Sequence, residues 1–168
     1  MKTPIVNVLD AQHVKRWSLV GTTAESNVAS HSFNVAVLAM EIAKRMAYTP
    51  FGVMNICYNA LLHDIAEVFT GDVPTPTKTA MKKKGVNFNE LFHNYEDEVM
   101  VDSDTRAIVK LADLIDNWHF IDQHGAGVRA RIAASEVRGR LDAAIDGAPP
   151  DMASAARGVL QDLGNRDA

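Results

Sequence analysis

A histidine and an aspartate stand side by side at His63-Asp64, inside the apolar stretch LLHDIAEVFTGDVPTP, and Glu67 follows three residues later. A polar side chain in a helix built for burial must find a partner or do chemistry. Imidazole nitrogen together with carboxylate oxygen is the usual ligand set of a borderline divalent cation. Two further positions offer the same groups. His31 lies on the apolar stripe of Val28, Val35 and Leu38, and Asp113 lies in KLADLIDNWHF, with Lys110 one turn before it and Asp116 and Asn117 one turn after. Two aspartates three residues apart in an apolar helix are costly unless a cation compensates them. Read singly, His31 suits a hydrogen-bonded core histidine, and Asp113 and Asp116 suit a solvated face paired with arginines such as Arg106. Read together with the dyad, they favour one metal held by His31, His63, Asp64 and Asp113 from three helices. Such a set suits Zn, Co, Mn, Fe or Ni without choosing among them.

The elements that must position these groups are helical. Apolar residues recur every three or four positions from Ala24 to Ala47, with Thr23–Ser26 or Asn27 as the cap and Pro50 and Gly52 as the stop. A second helix is expected from Val53 to about Phe69, ended by Thr70-Gly71-Asp72 and by Pro74 and Pro76. Further amphipathic stretches run from Asn87 to Met100, Asp102 to about His124, Val128 to Ile145 and Met152 to Leu163, and the last residues are expected to fray. No stretch alternates as a strand does. The pattern is that of an all-α, single-domain helical bundle over residues 1–168.

The bulk numbers narrow the partners. Hydrophobic residues make up 47% and charged residues 23% of the 168, an ordinary globular balance. A net charge of -4 and a pI near 5.8 argue against a nucleic-acid polymer as partner. No run approaches the ~18 apolar residues of a membrane span, and MKTPIVNVLDAQ has no signal-peptide pattern. One cysteine, Cys57, excludes an internal disulfide and reads as a buried core thiol. A cytoplasmic protein without a membrane partner is expected.

The order His31, His63-Asp64, Asp113, with the dyad in LLHDIAE and the last aspartate in KLAD, resembles the HD-domain metal phosphohydrolases. RWSLV with its Arg16-Trp17, SHSFNVA around His31, and HDIAEVFTGDVPTPTK resemble the 5'-deoxynucleotidase branch of that family. The resemblance implies an HD-type helical bundle with His31, His63, Asp64 and Asp113 as the metal ligands. It makes Glu67 the catalytic carboxylate that positions or deprotonates water. Arg16 offers a planar, permanently charged fork for phosphate oxygens, and Lys110 and Lys78 are cations within plausible reach. Trp17 is a natural platform for sugar or base. In the family the matching tryptophan crowds the sugar's 2' position and the matching aspartate, here Asp72, meets the 3'-hydroxyl, so 2'-deoxyribose is the implied sugar. Leu19 and Pro76 are expected to flank the base, with a core role for Leu19 equally open.

The number of phosphates separates two neighbouring groups. The bacterial enzymes act on monophosphates, whereas shorter phage-encoded relatives split dATP into deoxyadenosine and triphosphate. The short spacing from Asp64 to Asp113 and the lysines Lys78, Lys82, Lys83 and Lys84 favour the dATP triphosphohydrolase reading. The expected set-up is one divalent transition metal per site, with room for a second divalent ion on the phosphates, and a small-molecule deoxynucleotide substrate in a self-associating protein. A 5'-deoxynucleotidase is the alternative, and a non-catalytic metal-bearing binding module is the reading from a different class.

Overall fold

The computed structural model describes residues 5–86 and 102–165. Its helices are α1 (Ile5–Asp10), α2 (Val28–Arg45), α3 (Pro50–Leu62), α4 (Glu67–Thr70), α5 (Thr75–Lys83), α6 (Ser103–His124), α7 (Gly127–Asp146) and α8 (Pro150–Gly164), with a 3-10 turn at Ala11–His13. Among the described residues the only extended pairings are isolated bridges, Lys15 with Asn27 and Thr22 with Gly125, so the all-α expectation holds. The expected stretch Asn87–Met100 lies outside the described residues. Among those described, no helix is long and apolar enough to cross a membrane.

Helix α2 is the centre of the bundle, packed against α3, α6 and α8. Its start is fixed by Asn27, whose Oδ1 accepts the Ser30 amide at 2.9 Å while Ser30 Oγ accepts the Asn27 amide at 3.3 Å. Such a reciprocal cap satisfies two donors that the first turn leaves open. The far end closes on Ala47 at φ 57°, with the Tyr48 amide reaching the Ala43 carbonyl. Val35, Ala39 and Ile42 from α2, Ile56 and Ala60 from α3, Ile108, Leu111 and Ile115 from α6, Leu141 from α7 and Ala156 from α8 form one contiguous core. Cys57 is half-buried against that core rather than within it.

Three boundaries differ from the sequence reading. Pro50 starts α3 rather than ending its predecessor. It occupies the first turn, where a missing N–H costs nothing, and Thr49 Oγ1 caps the Gly52 amide. The helix expected from Val53 to Phe69 is broken: α3 stops at Leu62, residues 63–66 turn through three-residue hydrogen bonds, and α4 resumes at Glu67. His63 supplies the physical reason, because its Nδ1 lies 2.7 Å from the Ala60 carbonyl, the acceptor a continuing helix offers to the Asp64 amide. Finally, the lysine-rich segment after Pro74 is a helix, α5, with Pro76 tolerated in its first turn.

Candidate metal centre and substrate site

His31 is the fourth residue of α2 and is almost fully buried (1% exposed). Its Nδ1 lies 2.6 Å from Asp116 Oδ2 on α6, and Asn34 Nδ2 donates to the other oxygen of that aspartate at 2.9 Å. His63 turns its Nδ1 to the Ala60 carbonyl. A carboxylate and a carbonyl only accept, so both rings carry their proton on Nδ1 and direct an Nε2 lone pair the other way. Both Nε2 atoms are buried and lack a hydrogen-bond partner. They face the same place. His31 Nε2 stands 3.4 Å from Asp113 Oδ1 and 3.5 Å from Asp64 Oδ2, and His63 Nε2 stands 3.4 Å from Asp64 Oδ2.

These separations are informative. Ligands about 2.1 Å from a zinc-sized ion at tetrahedral angles stand roughly 3.4 Å apart. Ligand atoms of His31, His63 and Asp113 all lie within 4.8 Å of one another. The donor set therefore fits a divalent cation, because two buried, unpartnered imidazole nitrogens converge with carboxylates and both rings are held from behind.

Charge is balanced around this point. Asp113 is driven upward by burial, yet the nearby His31, Lys110 and His63 hold its carboxyl well below the ordinary range. Burial likewise opposes ionisation of Asp64, and His63 and Arg16 overcome it to lower its pKa. For His31, burial favours the neutral ring, but Asp113 and Asp116 outweigh it and raise the pKa, so proton and cation compete for one Nε2. Glu67 is pushed up to about 7, first by burial and then by Asp64. A buried carboxyl poised there can take or give a proton near neutrality.

Cations close the other side. Arg16 Nη1 donates to Asp64 Oδ2 at 2.8 Å and lies 3.5 Å from Glu67 Oε2, and its Nη2 donates to Asn117 Oδ1 at 3.0 Å. Burial disfavours that guanidinium charge, but the surrounding carboxylates of Asp64, Glu67, Asp72 and Asp113 reverse the effect and raise its pKa. Lys78 on α5 reaches Glu67 Oε1 at 3.0 Å, and Lys110 Nζ meets Asp113 Oδ2 at 2.5 Å from a half-exposed position. Trp17 follows Arg16 with φ 60°, its amide donating to Asp72 Oδ2 at 3.2 Å and its ring stacked on Phe120.

The structure thus gathers His31, His63, Asp64, Glu67, Asp72, Asp113, Arg16, Trp17, Lys78 and Lys110 around one region. Leu19 is 55% exposed, which removes the core role left open for it, and Pro76 is exposed in the first turn of α5. Sequence reasoning missed Asp116, Asn34 and Asn117 as supports. Asp116 was visible only as a second acid on an apolar helix, not as the partner of a histidine 85 residues away.

Known proteins share this arrangement of sequence and fold. Residues 5–100 match the family described as 5'-deoxynucleotidase YfbR-like. A dATP triphosphohydrolase of Salmonella phage PMBT28 is 37% identical over 131 residues, covering 72% of this chain and 67% of that protein. A dATP triphosphohydrolase of Cyanophage S-2L is 32% identical over 73% of this chain and 71% of its own length. The 5'-deoxynucleotidase PM0747 of Pasteurella multocida is 32% identical over 61% of this chain and 64% of its own. Among solved structures, the Cyanophage S-2L HD phosphohydrolase bound to dA and one catalytic zinc ion superposes with a TM-score of 0.80, at 24% identity over 96% of this chain and 97% of the other. That likeness establishes a common fold. With the family match spanning more than half its length and the phage relative aligned over most of it, this chain belongs to the 5'-deoxynucleotidase YfbR-like family.

Proposed function

We propose that this protein hydrolyses dATP at the α-phosphate, releasing deoxyadenosine and inorganic triphosphate. The observation that carries the reading is the pair of buried, unpartnered His31 and His63 Nε2 atoms converging with Asp64 and Asp113. When bound there, a divalent cation, Zn, Co, Mn, Fe or Ni, supplies Lewis-acid charge and acidifies water. The rest is the work of the chain. Arg16 forks two phosphate oxygens while Asn117 steadies it, and Lys78 and Lys110 add charge to the polyphosphate tail. Glu67 accepts a proton from the attacking water and returns one to the departing 5'-oxygen. Trp17 packs on the deoxyribose where a 2'-hydroxyl would need room, and the Asp72 carboxylate receives the 3'-hydroxyl. Leu19 and Pro76 border the base, and a second divalent ion can accompany the triphosphate.

Two facts favour triphosphate over monophosphate. Phage relatives described as dATP triphosphohydrolases align over 72–74% of this chain, against 61% or less for the deoxynucleotidases named alongside them. The lysines of α5 also continue from Lys78 to Lys82 along one helical side. Self-association belongs to the same proposal. Helix α3 carries no charged residue, and Phe51, Met54, Tyr58 and Leu61 stand exposed along it at the spacing of a helix–helix seam. A charge-free stripe can face its own copy across a two-fold axis without repulsion.

The test is turnover of dAMP, dATP and ATP by protein stripped with chelator and reloaded with single metals. Turnover of dATP to deoxyadenosine, with dAMP and ATP left intact, is expected. Release of orthophosphate from dAMP would favour the nucleotidase, and metal binding without any hydrolysis would favour the binding module.

A further inference from the structure

On α6, the residues Asp113, Asn117, Phe120 and His124 follow at steps of four, three and four, which lines them along one face of the helix. Each holds a different part of the site to the same rod. Asn117 donates to the Asp113 backbone carbonyl at 2.9 Å and accepts from Arg16, so it ties a candidate metal ligand to the phosphate fork. The Phe120 ring lies nearly parallel to the Trp17 indole, with centroids 6.2 Å apart and planes 17° apart. His124 also packs on Phe120, its ring centroid 5.2 Å away and its plane tilted by 51°. The His124 carbonyl accepts the Thr23 amide at 2.8 Å, and the Ala126 amide donates to Gly21 at 2.8 Å. The end of α6 is therefore stitched to the segment that carries Arg16 and Trp17. Close approach explains the glycines there: a Cβ on Gly125 would sit 2.4 Å from the Ile121 carbonyl, and one on Gly21 would sit 3.0 Å from that of Ala126.

Trp17 adopts the left-handed region at φ 60°, which a bulky residue enters only when its surroundings hold it there. The backbone is held by the Asp72 carboxylate and by the turn bond from the Val20 amide to the Trp17 carbonyl, at 2.9 Å. Neither contact fixes how deep the indole reaches. The ring itself is stacked on Phe120.

We propose that Phe120 is a positioning residue for sugar selectivity. By stacking on Trp17 it holds the indole at the depth that excludes a 2'-hydroxyl, so discrimination between deoxyribonucleotide and ribonucleotide is set from α6. This rests on the reading above that Trp17 packs against the sugar. A side chain in direct contact with the base would alter both substrates alike, whereas a support behind the indole alters their ratio.

The test compares Phe120→Leu, Phe120→Met and Phe120→Tyr for kcat/KM on dATP and ATP, using metal-loaded protein. The expected result is a roughly tenfold fall in the dATP-to-ATP ratio for the Leu and Met variants, the order an aromatic pair can contribute, with the ratio kept in the Tyr variant. A second readout needs no turnover. The chain has two tryptophans, so a Trp118→Phe background isolates Trp17, whose emission should become more open to acrylamide quenching when Phe120 is shortened. Unchanged ratio and unchanged quenching in both aliphatic variants would overturn the proposal, as would an equal loss on the two substrates. If the parent turns over ATP as readily as dATP, the sugar reading of Trp17 falls first and takes the proposal with it.

Discussion

Asp116 never faces the candidate cation, yet it decides how His31 presents its ring. Its carboxylate holds Nδ1 at 2.6 Å and is itself steadied by Asn34. Such supporting carboxylates fix tautomer and orientation and raise ligand basicity. Replacing Asp116 with Asn should weaken metal affinity roughly 10–100-fold without removing a ligand, measured by chelator competition. Affinity equal to the parent's would show that the ring needs no such support. Glu67 gives a second test. Its ordinary pKa of 4.5 rises to about 7 in the fold, first through burial. Between those values the folded, metal-free protein keeps a proton that the unfolded chain has released, so stability falls as pH rises through this window. Glu67→Gln should remove that slope and gain about 3 kcal/mol on the parent above pH 7, read by denaturant titration of the metal-free protein. With metal restored, the same variant should lose at least ~10²-fold in kcat while binding the cation normally. A variant with the parent's pH slope would contradict the raised pKa, and one with the parent's kcat would remove Glu67 from proton transfer.

At the scale of elements, α2 shows what periodicity can convey. Its stripe of Val28, His31, Val35 and Ile42 was visible in the sequence, and so was Asn27 as one of the cap candidates. Asn27→Ala should cost about 1 kcal/mol in thermal or denaturant unfolding, because the Oδ1 acceptor of the Ser30 amide is lost, with catalysis at 25 °C kept. No loss of stability would mean the cap is dispensable. Helix α6 was legible for the same reason, its apolar positions recurring from Ile108 to Ile121 behind the capping Asp102. The break at residues 63–66 was not. No glycine or proline marks it, and a side chain, His63, competes for a backbone carbonyl that only the folded chain reveals. Helix α5 was obscured by the opposite error, since Pro74 and Pro76 read as a stop although proline is well suited to a first turn. The site shared this division. Ligand types and the dyad stood out locally, whereas the supports Asp116, Asn117 and Phe120 gain meaning only when α6 lies beside α2 and the Arg16 segment.

Over the whole molecule, one contiguous core joins α2, α3, α6, α7 and α8, and the site lies where α2, α6, the turn after α3 and the Arg16–Trp17 segment meet. The charge-free α3 ends at the turn that carries His63 and Asp64, so an assembly through its exposed stripe would lie beside the candidate centre. Phe51→Glu, at the most exposed aromatic of that stripe, should lower the solution mass measured by light scattering to that of the 18.3 kDa monomer. A parent that is already monomeric would remove this interface. Attack by water on the α-phosphate of dATP with the 5'-oxygen as leaving group is tested most directly by hydrolysis in 18O-labelled water followed by 31P NMR and mass spectrometry. The expected products are unlabelled deoxyadenosine and a triphosphate carrying one 18O on a terminal phosphorus. Labelled orthophosphate with dADP, or pyrophosphate with dAMP, would contradict it.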